Sequence, residues 1–314
     1  MRQPLFTFWA CFIISCHRGL PLKRHDKENI MAQFTNQAQL SYNNTVINSN
    51  IVVGEILEVV SGDKTAVVST YSVDGTVTYV ISVVNAGNTP ISNLTVTDNL
   101  GAYTQGTETR TPLSYVDGSI RLFINGVLQA APAVATDNGL TVSGITLPAN
   151  SNLLLIYATD VNEFAPLGVD GSIVNSAVVT GNGIPAPITV TETVTPVQEP
   201  QLRITKSLEP VPISENGILT YRFVIENFGN VDAVATDNVA LSDLFDPILS
   251  DLTVSLDGTT WTEGVQYNYD ETTGQFNTVP GQITVPAATY TQDIATGVWI
   301  TTPGVVVLTV SGTV

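Results

Sequence analysis

The sequence predicts an all-β chain, with two tandem Greek-key β-sandwiches preceded by an N-terminal β-hairpin arm. Three observations support this prediction. The segment Lys64–Asn88 recurs as Lys206–Asn230 at a constant offset of 142 residues, which is the signature of an internal repeat. Short β-branched and aromatic runs alternate with Gly, Asn and Asp turn residues, as strands and turns do. No long window has the period of an amphipathic helix.

The composition of the chain changes at Met31. Residues 1–30 hold both cysteines, both histidines and five of the eleven basic residues, so the remainder carries six basic residues against 26 of the 28 acidic ones. Such a charge disfavours nucleic acid and anionic membranes as partners. Without His or Cys there is no Ser-His-Asp or Cys-His nucleophile and no usual zinc site. We expect no cofactor and no enzyme, with carboxylate-pair catalysis as the remaining alternative.

Residues 1–30 have two interpretations. Leu5–Ile14 is an apolar run with the length of a signal-peptide core, but no small-x-small cleavage site follows it, and the run is too short to span a membrane. Alternatively, translation starts at Met31, because Lys27-Glu28 can be encoded AAG-GAG, a ribosome-binding sequence. We favour the second interpretation since the composition break falls at the same point. We expect these residues to be absent from the mature protein.

The remainder divides into an arm and two repeats. We predict a donor hairpin over residues 31–60, a first repeat over 61–196, a Pro-containing linker over 197–200 and a second repeat over 201–314. Proline holds the linker extended because its ring fixes φ and its nitrogen donates no hydrogen bond. Asp-Gly pairs between short apolar runs predict hairpin turns at Asp74-Gly75, Asp117-Gly118 and Asp257-Gly258.

Both repeats contain the phrase Tyr-x-(apolar)-x-(apolar)-x-Asn-x-Gly-Asn, followed by an apolar strand and Asp. It covers Tyr79–Asn88 with Thr97-Asp98, and Tyr221–Asn230 with Ser242-Asp243. The phrase resembles a prokaryotic conserved-repeat family, a domain of unknown function that occurs in tandem on bacterial surface proteins. The resemblance covers nearly everything after residue 32 and implies Ig-like sandwiches at a surface. It says little about function, because a sandwich supports many roles.

The two repeats differ in their last strands. The first repeat ends on two predicted strands, Ile173–Val179 and Ile188–Val194. The second repeat stops at Val305–Val314, which matches the strand before that hairpin. A hairpin of the required kind stands at the other end of the chain, where Phe34–Tyr42 aligns with Ile173–Gly181. The chain therefore resembles a tandem array that runs hairpin, body, hairpin, body.

The arm is expected to act as the closing hairpin of a second repeat. In the alignment, Asn36 corresponds to Asn175 and Ala38 to Ala177. Closure within one chain looks difficult, because Ser61–Asp63 reach only about 10 Å when extended. Insertion into the next copy would build a filament, and an arm folded on the first repeat is a further alternative. The predicted linking residues are Phe34, Asn36, Ala38, Leu40, Tyr42, Ile51 and Val53. Their apolar side chains, Val53 included, are expected to lie on one face of the hairpin and to fill the apolar trough of the second repeat.

Lys64 and Lys206 are the only lysines after residue 30, and each lies on a predicted first strand. Some surface pilins join such a lysine to an asparagine through an isopeptide bond, using a nearby buried carboxylate. The candidate isopeptide residues here are Lys64, Asn175, Lys206 and Asn36. The ordinary alternative is an exposed strand lysine beside a structural asparagine.

The second repeat also holds candidate ligand-binding residues. Its acidic residues can bind calcium, but they lack EF-hand spacing and usually such carboxylates only solvate a surface, so we predict no metal site. Trp261 and Tyr267–Tyr269, if exposed in loops, favour a ligand-binding surface. The acidic residues are Asp237, Asp243, Asp246, Asp251, Asp270 and Glu271.

These observations predict a structural subunit whose partner is itself, assembled as a fibre or coat at the cell or spore surface. The alternative is a surface adhesin that binds a host or matrix ligand through loops of the sandwiches. Neither hypothesis involves nucleic acid or insertion into a membrane. If translation starts at Met31, no signal peptide is evident, and a spore appendage assembled in the mother cell reconciles a surface-type fold with a leaderless chain.

Overall fold

The computed structural model describes residues 32–56, 58–137 and 139–314. The predicted leader, residues 1–30, lies outside the described residues. The chain divides into two compact units, Met1–Glu58 and Val59–Val314. Apart from one 3-10 turn at Ala235–Asp237, the described elements are β-strands, which confirms the predicted all-β class. Among these elements no helix is long and apolar enough to cross a membrane.

The described part of the first unit is an antiparallel hairpin, as the predicted arm requires. Asn43 and Asn44 close its tip with positive φ angles of 45° and 61°, a conformation that Asn tolerates better than most residues. The strands are β1 Ala32–Asn36, β2 Gln39–Tyr42, β3 Thr45–Asn48 and β4 Val52–Ile56. β1 pairs with β4 and β2 pairs with β3.

The pairing register of β1 with β4 corrects the predicted position of Val53. Asn36 lies opposite Val52, and Thr35 lies opposite Val53. Cross-strand partners share a face, so Val53 lies on the other face from Asn36, and Val52 takes the place predicted for Val53. The returning strand has one extra residue between β3 and β4. A bulge of this kind shifts the alternation of side chains, which the sequence pattern did not reveal.

The first repeat is a sandwich of two β-sheets. Its strands are β5 Val60–Ala66, β6 Thr70–Tyr71, β7 Thr76–Asn85, β8 Ile91–Asp98, β9 Tyr103–Gln105, β10 Glu108–Arg110, β11 Leu113–Tyr115, β12 Arg121–Ile124, β13 Val127–Leu128, β14 Ala133–Ala135, β15 Leu140–Leu147, β16 Ser151–Val161, β17 Ile173–Asn182 and β18 Ile188–Pro196. One sheet has the order β13-β12-β16-β7-β5, with β11 also paired to β16, and the other has the order β14-β15-β8-β17-β18-β6. The hairpin β9–β10 stands apart.

The second repeat has one large sheet and smaller pieces that face it. Its strands are β19 Leu202–Glu209, β20 Ile218–Asn227, β21 Ser242–Leu244, β22 Ser250–Leu256, β23 Thr259–Thr260, β24 Tyr267–Asp270, β25 Gln275–Thr278, β26 Thr289–Gln292, β27 Trp299–Thr302 and β28 Gly304–Thr313. The large sheet has the order β19-β20-β28-β22-β23, β21-β25-β24 form a second sheet, and β26 pairs with β27. Each repeat encloses its own cluster of buried apolar side chains.

The sequence repeat corresponds to equivalent strands. β7 and β20 begin at Thr76 and Ile218, which are 142 positions apart, and both end on the motif asparagine, Asn85 or Asn227. β7 lies between β5 and β16, and β20 lies in the same way between β19 and β28. β28 is therefore the counterpart of β16, the strand that precedes the hairpin β17–β18 in the first repeat.

The motif asparagine holds the turn after the central strand. Asn85 Nδ2 donates to the carbonyl oxygens of Thr89 and Pro148, both at 2.9 Å, and Asn85 Oδ1 accepts the N–H of Gly87. Asn227 makes the matching bonds after β20. The Asn-x-Gly part of the phrase thus satisfies buried backbone groups at a sharp turn.

Only one of the three predicted Asp-Gly turns closes a hairpin. Asp257 and Gly258 have φ angles of 48° and 79° and join the paired strands β22 and β23. Asp74-Gly75 instead joins β6 and β7, which belong to different sheets, and Asp117-Gly118 joins β11 and β12, which both pair with β16. Those two hairpin predictions are wrong, because a tight turn does not determine which strand the chain pairs with next.

Candidate functional site

A cluster of polar side chains lies between the two sheets of the first repeat. Lys64 on β5, Tyr79 on β7 and Tyr157 on β16 come from one sheet. Asp98 at the end of β8 and Asn175 on β17 come from the other. All five residues are buried, which is rare for a lysine or an aspartate unless it is paired.

Lys64 and Asp98 form an ion pair that is shielded from solvent. Lys64 Nζ lies 2.5 Å from Asp98 Oδ2, and Lys64 is 2% exposed. The Tyr157 hydroxyl donates a hydrogen bond to the same carboxylate oxygen. Lys64 Nζ also lies 4.9 Å from the centre of the Tyr79 ring, so the ammonium contacts an aromatic face as well as a carboxylate. The alternative of an exposed strand lysine is wrong for Lys64.

Asn175 lies beside this pair and is 0% exposed. Ala177, two residues further along β17, lies opposite Asp98 in the pairing of β17 with β8. Residues two apart on a strand share a face, so Asn175 and Ala177 lie on the same face of β17. Asn175 Oδ1 accepts the N–H of Gly101 at 3.2 Å. Within the part of the chain that the structure describes, Asn175 Nδ2 and the Tyr79 hydroxyl make no hydrogen bond of ordinary geometry, but the Asn175 amide lies close enough to the Tyr79 and Tyr157 hydroxyls to counter the rise in their pKa values.

Burial controls the electrostatics of the cluster. It lowers the pKa of Lys64, and the charge of Asp98 and its hydrogen bond oppose this effect. Burial raises the pKa of Tyr157 well above its ordinary value, and the nearby Asp98 charge acts in the same direction. The low-dielectric surroundings therefore favour the neutral amine of Lys64 and the neutral phenol of Tyr157.

The second repeat contains the same lysine and aspartate in a more open setting. Lys206 on β19 forms an ion pair with Asp243 on β21, and the Lys206 side chain is 40% exposed. Its ammonium lies 4.5 Å from the centre of the Tyr221 ring and 5.6 Å from that of Phe245. These two rings stack on each other with centres 4.8 Å apart. The lysine, the aspartate and one tyrosine of the first cluster thus recur as Lys206, Asp243 and Tyr221. Asn175 has no counterpart among the described residues of the second repeat.

The inner face of β19 is uncovered in the described chain. In the first repeat, β18 lies against β5, where a Cβ on Gly62 would lie 3.2 Å from Val190 and 3.3 Å from Ile188. On β19, Leu202, Ile204 and Leu208 share a face with Lys206 and are 38%, 55% and 45% exposed. We call this surface the open face.

The edge of β21 is also free among the described residues. β21 pairs with β25 on one side only, whereas β8 in the first repeat lies between β15 and β17. Asp98 therefore lies opposite Ala177 of the closing hairpin, and Asp243 has no equivalent partner. The open face and this edge together are the surfaces that β17 and β18 occupy in the first repeat.

The predicted linking residues lie in the first compact unit, which the structure describes separately. Phe34, Leu40, Ile51 and Val53 are all about half exposed or more, and Asn36 and Ala38 are exposed as well. The side chain of Tyr42 is outside what the structure describes. Asn175 lies on the strand that pairs with the strand of Asp98, the ion-pair partner of Lys64, and the pairing of Asn36 with Lys206 stays a prediction.

The acidic residues considered as calcium ligands have other partners or lie apart. Asp237 Oδ2 accepts the N–H of Val234 at 2.8 Å, Asp243 pairs with Lys206, and Asp270 accepts hydrogen bonds from Thr272. In residues 32–56, 58–137 and 139–314 no group of three or more His, Cys, Asp or Glu side chains is placed to hold a metal ion.

The pairing of Asp98 with Lys64 and of Asp243 with Lys206 was not predicted from the sequence. Both aspartates end the repeated phrase, and that recurrence was the available signal. Their contact with Lys64 and Lys206 joins one sheet to the other, so no spacing along the chain predicts it. The contact of Tyr157 with Asp98 also joins the two sheets, and the bond from Gly101 to Asn175 joins segments 74 residues apart in the chain, so neither was predicted.

Comparisons with known proteins match solved structures alone. No protein-family model and no curated protein matches the chain. BcpA, the major pilin subunit of Bacillus cereus, is 12% identical, with 86% of this chain and 73% of that chain covered and a TM-score of 0.34. The 35 kDa C-terminal fragment of the major pilin GBS80 of Streptococcus agalactiae is 12% identical, with 71% and 79% covered and a TM-score of 0.33.

An enzyme is also among the similar structures. A family 123 glycoside hydrolase from Clostridium perfringens is 9% identical, with 44% of this chain covered and a TM-score of 0.28. The chain spans only 28% of the length of that enzyme. Structures similar to the chain thus include major pilin subunits and part of a hydrolase.

Proposed function

We propose that the chain is a non-catalytic structural subunit of a surface fibre, in which the arm of one copy completes the second repeat of the next. The open face carries this proposal. Its side chains Leu202, Ile204 and Leu208 are exposed, although the equivalent face of β5 is covered by β18 in the first repeat. An apolar sheet face next to an unpaired strand edge favours association with another strand.

The arm has the chemistry that this surface requires. Its exposed apolar side chains include Phe34, Leu40, Ile47 and Val52, and Leu40 and Ile47 are cross-strand partners. By the alignment with β17 and β18, the outgoing strand of the arm would pair with β21, and the returning strand would cover β19. Such strand addition combines a backbone ladder with apolar pockets for alternate side chains.

Burial of these side chains is large enough to matter. Phe34, Leu40 and Val52 are about half exposed or slightly more, so each contributes about 0.8–1.5 kcal/mol when it is buried in an apolar face, roughly half of the value for a fully exposed side chain. Backbone hydrogen bonds along β21 add roughly 0.5–1.5 kcal/mol each. A free arm with half-exposed apolar residues gains this free energy only when it finds a matching surface.

The geometry of donation leads to a chain of copies. The donor surface lies in residues 32–56 and the acceptor surface lies on β19 and β21, so the contact is heterologous. A heterologous contact that does not close into a ring propagates as an open filament. A fibre at the cell or spore surface is therefore the assembly that we propose.

A surface adhesin is the alternative function. Exposed aromatic loop residues would favour it, but Trp261 and Tyr267 are buried in the core of the second repeat. The condition under which these residues would favour a ligand-binding surface, exposure in loops, is met by neither Trp261 nor Tyr267. The structural role is thus better supported than ligand binding.

Deletion of residues 31–56 tests the proposal. The full chain is expected to form filaments in negative-stain electron micrographs, and the deletion variant is expected to form none while its first repeat stays folded. A synthetic peptide spanning Gln33–Val60 should bind the deletion variant one to one and raise the melting temperature of its second repeat.

A peptide of the same composition in scrambled order is the matched control, and it should neither bind nor stabilise. Filaments formed by the deletion variant as readily as by the full chain contradict strand donation. Binding of the scrambled peptide with equal affinity contradicts it too, because it would show a non-specific apolar contact.

A further inference from the structure

We propose that the first repeat forms an internal isopeptide bond between Lys64 Nζ and Asn175 Cγ, with Asp98 as the group that moves the proton. Lys64 on β5 and Asn175 on β17 belong to opposite sheets. The bond would therefore join the two sheets of the sandwich covalently. This inference is independent of how copies assemble.

The interior of the sandwich buries an amine, a proton acceptor and an amide in one cluster. Lys64 Nζ lies 2.5 Å from Asp98 Oδ2, and Asn175 lies on the strand next to Asp98. Lys64, Asp98 and Asn175 are all at most 2% exposed. Fixed neighbours that cannot move apart react as if at very high concentration.

The unsatisfied atoms of the cluster also favour a reaction. Asn175 Nδ2 is buried and makes no hydrogen bond of ordinary geometry among the described residues, and a buried polar group without a partner is costly. Lys64 is a buried ammonium that depends on a single carboxylate. An amide between the two replaces a buried charge and an unpaired amide nitrogen with one neutral group.

The steps balance without any oxidant or cofactor. Lys64 transfers one proton to Asp98, and its neutral amine attacks Asn175 Cγ, so that the Nζ–Cγ bond forms. A second proton passes from Nζ to Nδ2 by way of the Asp98 carboxyl group. The Cγ–Nδ2 bond then breaks, ammonia leaves, and Asp98 returns its extra proton to solvent or to the ammonia. Burial, which lowers the pKa of Lys64, favours the first step.

Gly101 is placed to stabilise the intermediate. Its N–H lies 3.2 Å from Asn175 Oδ1, the atom on which negative charge develops when the amine attacks. A backbone donor aimed at such an oxygen acts as an oxyanion hole. The Tyr157 hydroxyl donates to Asp98 Oδ2 and so positions the carboxylate oxygen that takes the proton from Lys64.

Mass spectrometry of the full chain tests the bond. Trypsin is expected to leave Lys64 uncut and to release the fragment that contains Lys64 and ends at Arg110 joined to residues 122–203, with a mass lower than the sum of the two by one ammonia. If trypsin cleaves after Lys64 and Asn175 is recovered unmodified, the proposal is overturned. This result does not depend on whether the sample was folded.

Three variants test the roles of Lys64, Asn175 and Asp98 in forming the bond. Lys64→Arg keeps the positive charge and should restore the full mass, and Asn175→Ala should do the same. Asp98→Asn keeps both joined residues and should leave them unjoined while far-UV circular dichroism shows a folded first repeat. Asn182→Ala, on the same strand, is the control and should keep the ammonia loss. A joined product in Asp98→Asn overturns the role of Asp98.

The second repeat carries a separate observation that extends this chemistry. Lys206 and Asp243 form the same ion pair above a stacked aromatic ring, with the open face beside them. We infer that Asn36 of a second copy supplies the missing amide, so that Lys206 Nζ joins Asn36 Cγ with loss of ammonia. This second inference rests on the proposed strand donation.

Denaturing gels separate the two inferences. Filaments of the full chain should give a ladder that resists boiling in detergent, and Lys206→Arg or Asn36→Ala should give filaments that dissolve to single chains. Asn50→Ala in the arm is the control and should keep the ladder. Wild-type filaments that dissolve completely overturn the covalent link but leave strand donation standing, whereas absence of filaments contradicts strand donation itself.

Discussion

Gly229 lies where two backbone segments come very close together. A Cβ at this position would lie 2.0 Å from the carbonyl oxygen of Glu199 and 2.7 Å from the nitrogen of Gln201, and neither backbone atom can move easily. We expect Gly229→Ala to lower the free energy of unfolding by about 1–3 kcal/mol, as overpacking does, measured by urea unfolding.

The matched control for that prediction is Gly168→Ala. Its Cβ would meet only Tyr290 Cδ2, at 4.0 Å, which is an ordinary contact. We expect a change within about 0.5 kcal/mol for this variant. Equal losses for Gly229→Ala and Gly168→Ala would show that contact with the linker does not require the motif glycine.

Because three tyrosines are buried, the free energy of unfolding is expected to fall at alkaline pH. Burial raises the pKa values of Tyr71, Tyr79 and Tyr157 above the ordinary 10.0. Their contribution to stability is complete below pH 10 and is lost as the pH rises further, because the unfolded chain ionises first. Phenolate absorbance should show these three ionising only when circular dichroism shows unfolding. Ionisation of all ten tyrosines in a chain that is still folded contradicts this.

At the scale of single residues, the sequence identified both partners of the proposed bond but not the groups between them. Lys64 and Asn175 were found by their repeat positions, since a lone lysine and an aligned asparagine are visible along the chain. Asp98 acts through a contact across the sandwich. Such contacts depend on how two sheets pack, and a local pattern holds no information about that.

At the scale of elements, the arm makes the sharpest prediction. Leu40 and Ile47 share one face of the hairpin, whereas Gln39 lies opposite Asn48 on the other. We expect Leu40→Asp to raise the concentration needed for filament formation at least tenfold, since an unpaired charge on an apolar face costs more than about 1.4 kcal/mol. Light scattering against protein concentration measures it.

Gln39→Asp is the control for that experiment, because it adds the same charge on the opposite face. We expect its critical concentration to stay within about twofold of the unchanged chain, as surface substitutions usually change free energies by no more than about 0.5 kcal/mol. If both variants weaken assembly equally, the effect comes from net charge and not from the predicted face.

Elements were predicted well where the repeat constrained them and poorly where a single residue changed the register. The equivalence of β7 with β20 follows from the offset of 142 residues and is confirmed by their matching positions in the sheets. Val53 was assigned to the wrong face because one extra residue before β4 shifts the alternation. Bulges depend on the partner strand, so hydrophobic alternation in one strand does not reveal them.

At the scale of the whole second unit, the two repeats are bound to each other by more than the linker. Gln105 Nε2 donates to the carbonyl oxygen of Asp293 at 3.0 Å, and Gln292 Nε2 donates to the Tyr103 hydroxyl at 2.6 Å. Trp299 also donates its backbone N–H to the carbonyl oxygen of Glu163. We therefore expect the two repeats of one copy to move together as one body.

Asn230 is the residue through which this joint can be tested. Its Nδ2 donates to the carbonyl oxygens of Leu167 in the first repeat and Val197 in the linker, at 2.9 and 3.0 Å. We expect Asn230→Ala to cost about 1–3 kcal/mol, because two partly buried carbonyl groups lose their donor, and to speed cleavage of residues 197–200 by a non-specific protease. Asn88, at the same position of the first repeat, is exposed, so Asn88→Ala should change neither quantity. Equal cleavage rates in the two variants would mean that the linker is held by other contacts and that the repeated asparagine has no joining role.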